Sequence, residues 1–254
     1  MTLEILTADS LSPLRHGFFT RSGGASSGIF SGLNCGPGSS DQSETVRTNR
    51  ARVAQAMTLD AAALVTPNQV HSANVATLDT CPPAGSPPPQ ADAMVTAKQG
   101  IILGILTADC QPVLFADHES GVIGAAHAGW RGALDGILEN TLTAMEALGA
   151  SRASTCAVIG PCISQRAYEV GPDFLEEFMD HDTGYSRFFA NGRDGRYQFD
   201  LPGFGLHRLR AAGIAEASWT GHCTYSDPRL FFSYRRSVHE GQADYGRLIS
   251  AIRL

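Results

Sequence analysis

Residues 121–132 read Gly121-Val122-Ile123-Gly124-Ala125-Ala126-His127-Ala128-Gly129-Trp130-Arg131-Gly132. The apolar run Val122 to Ala126, bounded by glycines, predicts a buried strand. It ends at His127, and a helical pattern opens after the glycines, from Ala133 to Leu148, stopping at Gly149. Strand, turn, helix is the unit of an α/β fold. A histidine on the last residue of a buried strand points into the crevice where such sheets bind ligands. The glycines let backbone approach a ligand closely. Arg131 sets a fork of donors, suited to phosphate, beside the histidine.

Moving outward, apolar runs at Ile101–Leu106, Pro112–Asp117 and Ala157–Gly160 predict further strands, as do Leu64–Thr66 and Val75–Leu78. Helices are expected over Asp41–Met57, Pro172–Met179 and from Phe199 to Gly213. Residues 1–20 read as strands, and Phe231–Arg236 as a strand running into two arginines. The end of the chain, Leu248–Leu254, is apolar and suits helix or strand alike. Cys81–Gln90, CPPAGSPPPQ, is too proline-rich for a regular element and reads as a surface loop. Strands and helices alternate with no visible repeat, so one α/β domain over residues 1–254 is expected.

The chain of 254 residues is 43% hydrophobic, enough for a sizeable core, and carries a formal net charge of −6. That charge argues against a nucleic-acid surface, which needs clustered cations. Only one lysine, Lys98, occurs, so the basic groups are nearly all arginine. Six scattered cysteines without a C-x-x-C do not form a disulfide framework. The acidic N-terminal stretch lacks the marks of a signal peptide, and no apolar stretch reaches membrane-spanning length. The expectation is a reduced cytoplasmic protein without membrane or nucleic-acid partners.

Three polar tips follow apolar segments: His71 in Pro67-Asn68-Gln69-Val70-His71, Cys110 in Thr107-Ala108-Asp109-Cys110, and His127. Two imidazoles and a thiolate suit zinc, and three ligands from separate segments suit a catalytic site with an open position. Without metal, the same residues suit a cysteine nucleophile with a histidine base. Taken alone, Cys110 also reads as an inert buried thiol. Asp92, in Ala91–Thr96, suits either a catalytic carboxylate or a cap. His222 and Cys223 are adjacent on an extended segment and face opposite sides, so they are not joint ligands.

The segments Asn68–His71 (NQVH), Thr107–Val113 (TADCQPV), Ala125–Gly132 (AAHAGWRG), Ile159–Ser164 (IGPCIS), Tyr168–Gly171 (YEVG) and Phe231–Arg236 (FFSYRR), in this order, resemble the YfiH-like family. It is also called the laccase-domain, multicopper polyphenol oxidase or DUF152 family, and is associated with purine nucleoside phosphorylase activity. The resemblance runs from about Gly17 to Arg236. It implies a single α/β domain with mixed sheets flanked by helices, and zinc held by His71, Cys110 and His127. It further implies phosphorolysis of adenosine, inosine, guanosine and 5′-methylthioadenosine, with adenosine deamination also attributed to the family. The oxidase label fits poorly, because the eight histidines include no H-x-H pair and laccase chemistry needs several histidine-rich copper centres. After the arginine pair the family pattern is Gly-x-Thr-Gly-Arg. Here Ser237–Arg247 keeps the Gly-Arg and lacks the threonine.

On this reading the partners are a nucleoside and phosphate. His71, Cys110 and His127 hold the metal, and Arg131 with the Arg21–Gly24 loop binds phosphate or ribose hydroxyls. Asn34 meets base or sugar, and Asp109 orients a ligand histidine or serves as a turn residue. Arg235 and Arg236 flank the pocket or end a solvated strand. Two other classes remain: a cysteine or zinc amidohydrolase editing a peptidoglycan precursor, and a non-enzymatic zinc-binding partner protein. Monomer and dimer are both compatible with the sequence.

Overall fold

Hydrophobic alternation along the central strands places apolar side chains on both faces of a sheet, and each face finds a different partner. In the computed structural model, which describes residues 2–83 and 85–254, the strands run β1 (Ile5–Leu6), β2 (Arg15–Phe19), β3 (Leu64–Val65), β4 (Val75–Thr77), β5 (Ala93–Thr96), β6 (Ile102–Thr107) and β7 (Gln111–Asp117). They continue as β8 (Val122–Ala128), β9 (Thr155–Ile159), β10 (Glu169–Val170), β11 (Phe189–Asn191), β12 (Tyr197–Phe199), β13 (Glu216–Trp219) and β14 (Leu248–Arg253). The helices are α1 (Ser43–Ala56), α2 (Trp130–Asp135), α3 (Ile137–Ala147), α4 (Pro172–His181), α5 (Leu201–Ala211) and α6 (Tyr234–His239).

Two sheets dominate. A five-stranded sheet has the order β1-β2-β14-β6-β3, and a six-stranded sheet the order β13-β9-β7-β8-β5-β4. Strands β10, β12 and β11 form a small third sheet. The pairings β3–β6, β4–β5 and β13–β9 are parallel, and the others in the two large sheets are antiparallel. The fold is therefore single-domain α/β with mixed sheets.

The two-residue period of a strand explains the layering. Leu103 and Ile105 of β6 and Ile252 of β14 meet Leu114 and Ala116 of β7 and Ile123 and Ala125 of β8, forming a core between the sheets. The alternate residues face outward. Ile102, Ile249 and Ala251 pack with Val53, Ala54 and Met57 of α1 and its flank. On the far side of the six-stranded sheet, Val113, Phe115, Ala157 and Ile159 pack under Leu138 and Leu142 of α3 and Phe204 of α5. The order through the molecule is helix, sheet, sheet, helices.

Three expectations from the sequence change in detail. The helix read over Ala133–Leu148 is two helices, α2 and α3, broken at Gly136, whose φ of 96° is the left-handed region glycine tolerates. The segment Phe231–Arg236 is not a strand. Phe231 and Phe232 are buried, and Ser233 caps α6 by accepting from the Arg236 amide. The C-terminal run resolves as a strand, β14, paired on both sides.

The chain crosses from the five-stranded to the six-stranded sheet twice near one place. One crossing joins β3 to β4 and carries His71. The other joins β6 to β7 in three residues and carries Cys110. Close sheet-to-sheet packing here leaves little slack. A Cβ added at Gly160 would lie 2.1 Å from the ring of Phe18, which is fully buried. Gly160→Ala is therefore expected to destabilise the fold by about 1–3 kcal/mol through overpacking, read as a lowered urea midpoint with unchanged slope.

Candidate metal centre and active-site cleft

Strands β7 and β8 are antiparallel, so the start of one lies beside the end of the other: Gln111 pairs with Ala128 and Pro112 with His127. This brings Cys110, just before β7, next to His127. His71 enters from the β3–β4 crossing with a φ of 59°, an unusual value for a residue with a side chain. Strain there persists only where the surroundings hold it, and Asp92 does so. One Asp92 oxygen accepts from the amide of His71 at 3.0 Å. The other accepts from the amides of Val70 at 3.2 Å and Ser72 at 2.6 Å, and from the Ser72 hydroxyl at 2.8 Å.

Asp92 also accepts from Nδ1 of His127 at 2.9 Å, leaving Nε2 of that ring for the site. Burial acts to raise the Asp92 pKa, but the hydrogen bonds from His127 and Ser72 outweigh it and hold the carboxyl at about 2.

The ligand atoms of His71, Cys110 and His127 all lie within 4.8 Å of one another, and Nε2 of His71 is 4.0 Å from Sγ of Cys110. The two rings meet edge to face with centroids 4.8 Å apart. Tetrahedral zinc bond lengths place such atoms roughly 3.3–3.7 Å apart, so the set closes on an ion with shifts under about 1 Å. This is the one such cluster of three or more His, Cys, Asp or Glu side chains among the described residues. The donors themselves fit a metal. Burial acts to raise the Cys110 pKa, yet the imidazoles of His127 and His71 bring it down to about 6. Burial acts to lower that of His127, and Cys110 and Asp92 raise it to about 9. A thiolate is thus favoured where a ligand thiolate is needed.

Gly129 makes the approach possible. A Cβ there would lie 3.0 Å from the His71 ring and 3.1 Å from the Cys110 sulfur.

Two cavities meet at this cluster, and His71 and Cys110 line both. The first, ≈ 320 Å³, is the more polar of the two, with Asn68, Gln69, Thr107 and Arg247 on its walls. The second, ≈ 200 Å³, is bounded by Trp130, Tyr168, Tyr234 and Arg235.

The other residues singled out in the sequence fall elsewhere. Asn34 is fully buried, with its amide nitrogen donating to Ser39 and Asp41 and its oxygen accepting from the amides of Gly36 and Arg247. Its amide is fully engaged, so it holds the Arg247 segment instead of meeting a substrate. Arg21 donates to the carbonyls of Ser31 and Pro228, lies over Phe232, and lines neither cavity. Arg131 lies over Trp130, pairs with Glu177 at 3.6 Å, and also lines neither.

Asp109 does not orient a histidine. Its carboxylate accepts from the Thr224 hydroxyl at 2.6 Å, the Ser233 hydroxyl at 2.9 Å and the Arg235 amide at 2.7 Å. The carboxylate behind His127 is Asp92, whose signal in the sequence was a lone acid inside an apolar strand start. Of the arginine pair, Arg235 faces the second cavity, while Arg236 donates to the carbonyls of Thr224, Tyr225 and Phe231.

Comparison with known proteins agrees with this architecture. The family described as multi-copper polyphenol oxidoreductase laccase matches residues 15–254. A Deinococcus radiodurans protein named purine nucleoside phosphorylase is 40% identical over 252 residues, covering 99% of this chain and 93% of its own. A crystal structure of a Neisseria meningitidis DUF152 protein superposes with a TM-score of 0.89 at 33% identity, covering 100% of this chain and 99% of the other. The crystal structure of Bacillus licheniformis YfiH gives 0.88 at 28% identity, covering 98% of this chain and 96% of the other. The chain belongs to this laccase-like, YfiH/DUF152 family. No helix among the described residues is long and apolar enough to cross a membrane.

Asp92→Asn keeps the side chain's shape and removes its charge. It is expected to weaken metal binding about 10–100-fold, measured by competition with a chromophoric chelator, with the far-ultraviolet dichroism unchanged. Gly129→Ala pushes on two of the three donors and is expected to lower metal content at purification, measured by elemental analysis.

Proposed function

We propose that this protein is a zinc-dependent purine nucleoside phosphorylase acting on adenosine, inosine, guanosine and 5′-methylthioadenosine. The observation that carries the reading is the His71–Cys110–His127 set, a three-donor site whose open side borders two cavities of different character. Relatives named purine nucleoside phosphorylase, similar over nearly the whole chain, supply the reaction class. Two nitrogens and a thiolate form a borderline-soft set that suits zinc. A laccase needs several copper centres, and the described residues hold one cluster.

In phosphorolysis an oxygen of hydrogen phosphate bonds to C1′ of the ribose as the C1′–N9 bond breaks. The electron pair of that bond leaves with the purine, which takes up the phosphate's proton, giving free base and ribose 1-phosphate. When bound, zinc supplies Lewis acidity toward an oxygen of the reactants. The chain's own groups supply placement. Arg247 offers a guanidinium to phosphate across the first cavity, steadied by its stack on Tyr245 at 4.3 Å. Asn68 and Thr107 offer hydrogen-bonding groups on the same walls. The aromatic walls of the second cavity keep water from the other end of the substrate.

Deamination is the less supported activity. Zinc deaminases use a glutamate as general acid and base, and among the described residues neither cavity has one on its walls. Asp109 is the one carboxylate there, and it is held by three donors.

The test incubates metal-quantified protein with adenosine and with inosine, with and without phosphate. Phosphate-dependent free base and ribose 1-phosphate are expected. The rate should fall on the order of 100-fold or more in Cys110→Ser, since loss of a ligand exceeds loss of its hydrogen-bonded support. It should also fall on chelation and return with zinc but not copper. Inosine formed from adenosine without phosphate would replace the proposal with deamination, and zinc-loaded protein that turns over neither nucleoside would overturn it.

A further inference from the structure

The second cavity contains a feature that metal ligation does not use. Arg235 is half-buried on its wall, and it is the one arginine or lysine there among the described residues. Its guanidinium lies over the Tyr168 ring at 5.3 Å, and Nη1 donates to the carbonyl of Glu169 at 2.7 Å. A guanidinium has five N–H donors and no acceptor, so four donors remain. The backbone beneath it is fixed by Asp109, which accepts from the Arg235 amide and from the hydroxyls of Ser233 and Thr224. Asp109 has a φ of 86° and immediately precedes Cys110. The arginine and the metal ligand are thus set in register through one buried carboxylate.

The cavity's chemistry points to a flat heteroaromatic occupant. Trp130, Tyr168 and Tyr234 supply aromatic walls, and bases favour aromatic surroundings. The other cavity is the more polar one and has its own arginine, Arg247. A nucleoside crossing the boundary at His71 and Cys110 would place its base among the aromatics and its C1′ between the two cavities. As the C1′–N9 bond breaks, negative charge spreads through the five-membered ring of the base to N7.

Resting on the phosphorylase reading above, we infer that Arg235 is a catalytic residue for the leaving base, donating a hydrogen bond to N7 of the purine. Because arginine does not give up its proton in proteins, its role is electrostatic. The donor strengthens as charge develops, and the proton on the departing base still comes from phosphate. Both adenine and hypoxanthine present an N7 acceptor, so this contact serves both and does not choose between them.

The test crosses a residue with a substrate atom. Inosine and 7-deazainosine, in which a C–H replaces N7, are compared in wild type, Arg235→Gln and Arg235→Lys, all matched for metal content. Wild type should lose about 10²–10³-fold in kcat on the deaza substrate, and Arg235→Gln a similar factor on inosine, the range for removing one charge-stabilising donor. The losses should not add: Arg235→Gln should slow 7-deazainosine less than about threefold. Arg235→Lys should recover part of the inosine rate. Calorimetry adds a readout free of turnover. Hypoxanthine should bind wild type at least about tenfold more tightly than 7-deazahypoxanthine, and the gap should close in Arg235→Gln.

Additive losses, or a binding gap that persists in the variant, would overturn the role of Arg235. A raised KM for phosphate with full sensitivity to N7 would assign it to the phosphate instead. Wild type that binds hypoxanthine but phosphorolyses no purine nucleoside would overturn the phosphorylase reading itself, an outcome distinct from additive losses in an active enzyme.

Discussion

The Asp92 carboxylate has no exposed surface and two oxygens, and the site is organised by what they accept. One oxygen holds the ring of His127 and the amide of His71, and the other gathers the neighbouring amides and the Ser72 hydroxyl. A buried charge is tolerable only when it is paired and hydrogen-bonded, and here the same bonds that stabilise the charge shape the site. The strained backbone at His71 follows from this grip. So does the tautomer of His127, which turns Nε2 toward Cys110. The main chain reinforces it, because the amide of His127 donates to the carbonyl of Asp92 at 2.7 Å.

Asp109 plays the matching part on the other side. It too is a buried carboxylate next to a residue of the cluster, yet its partners are Thr224, Ser233 and Arg235. Burial pushes its pKa up against the pull of those bonds. Two acids of the same type therefore divide the work: one orients His127, the other ties the late segment around Ser233 and Arg235 to the loop that carries Cys110. Separate elements thereby become walls of one cleft.

The sequence made these three donors legible because each ends or follows an apolar run, and such residues stand at the tips of buried strands. His71, Cys110 and His127 do converge. Apolar runs made the other strands through β9 visible except β5, and apolar stripes made helices α1, α4 and α5 visible. The small sheet of β10, β11 and β12 was not, because its short strands (Glu169–Val170, Phe189–Asn191, Tyr197–Phe199) mix polar and apolar residues without an apolar run. Polar residues were harder to place. Asn34, Arg21 and Arg131 carry groups suited to a substrate, but whether an amide or guanidinium faces a cleft or a carbonyl depends on long-range contacts. The Arg21–Pro228 bond spans 207 positions and the Arg247–Asn34 bond 213. Phe231–Arg236 misled for a related reason. Its aromatic residues favour a strand, but the Ser233 hydroxyl, bound to Asp109, starts a helical turn.

The two sheet crossings have a further consequence, for how the molecule is assembled. His71 and Cys110 are 39 residues apart and leave different strands of the five-stranded sheet, while His127 belongs to the six-stranded one. The three donors come within reach of one another only after the sheets have docked face to face. An ion captured there clasps one layer to the other and closes loops that the unfolded chain leaves open. Since the unfolded chain offers no comparable site, metal affinity feeds into the stability of the whole fold.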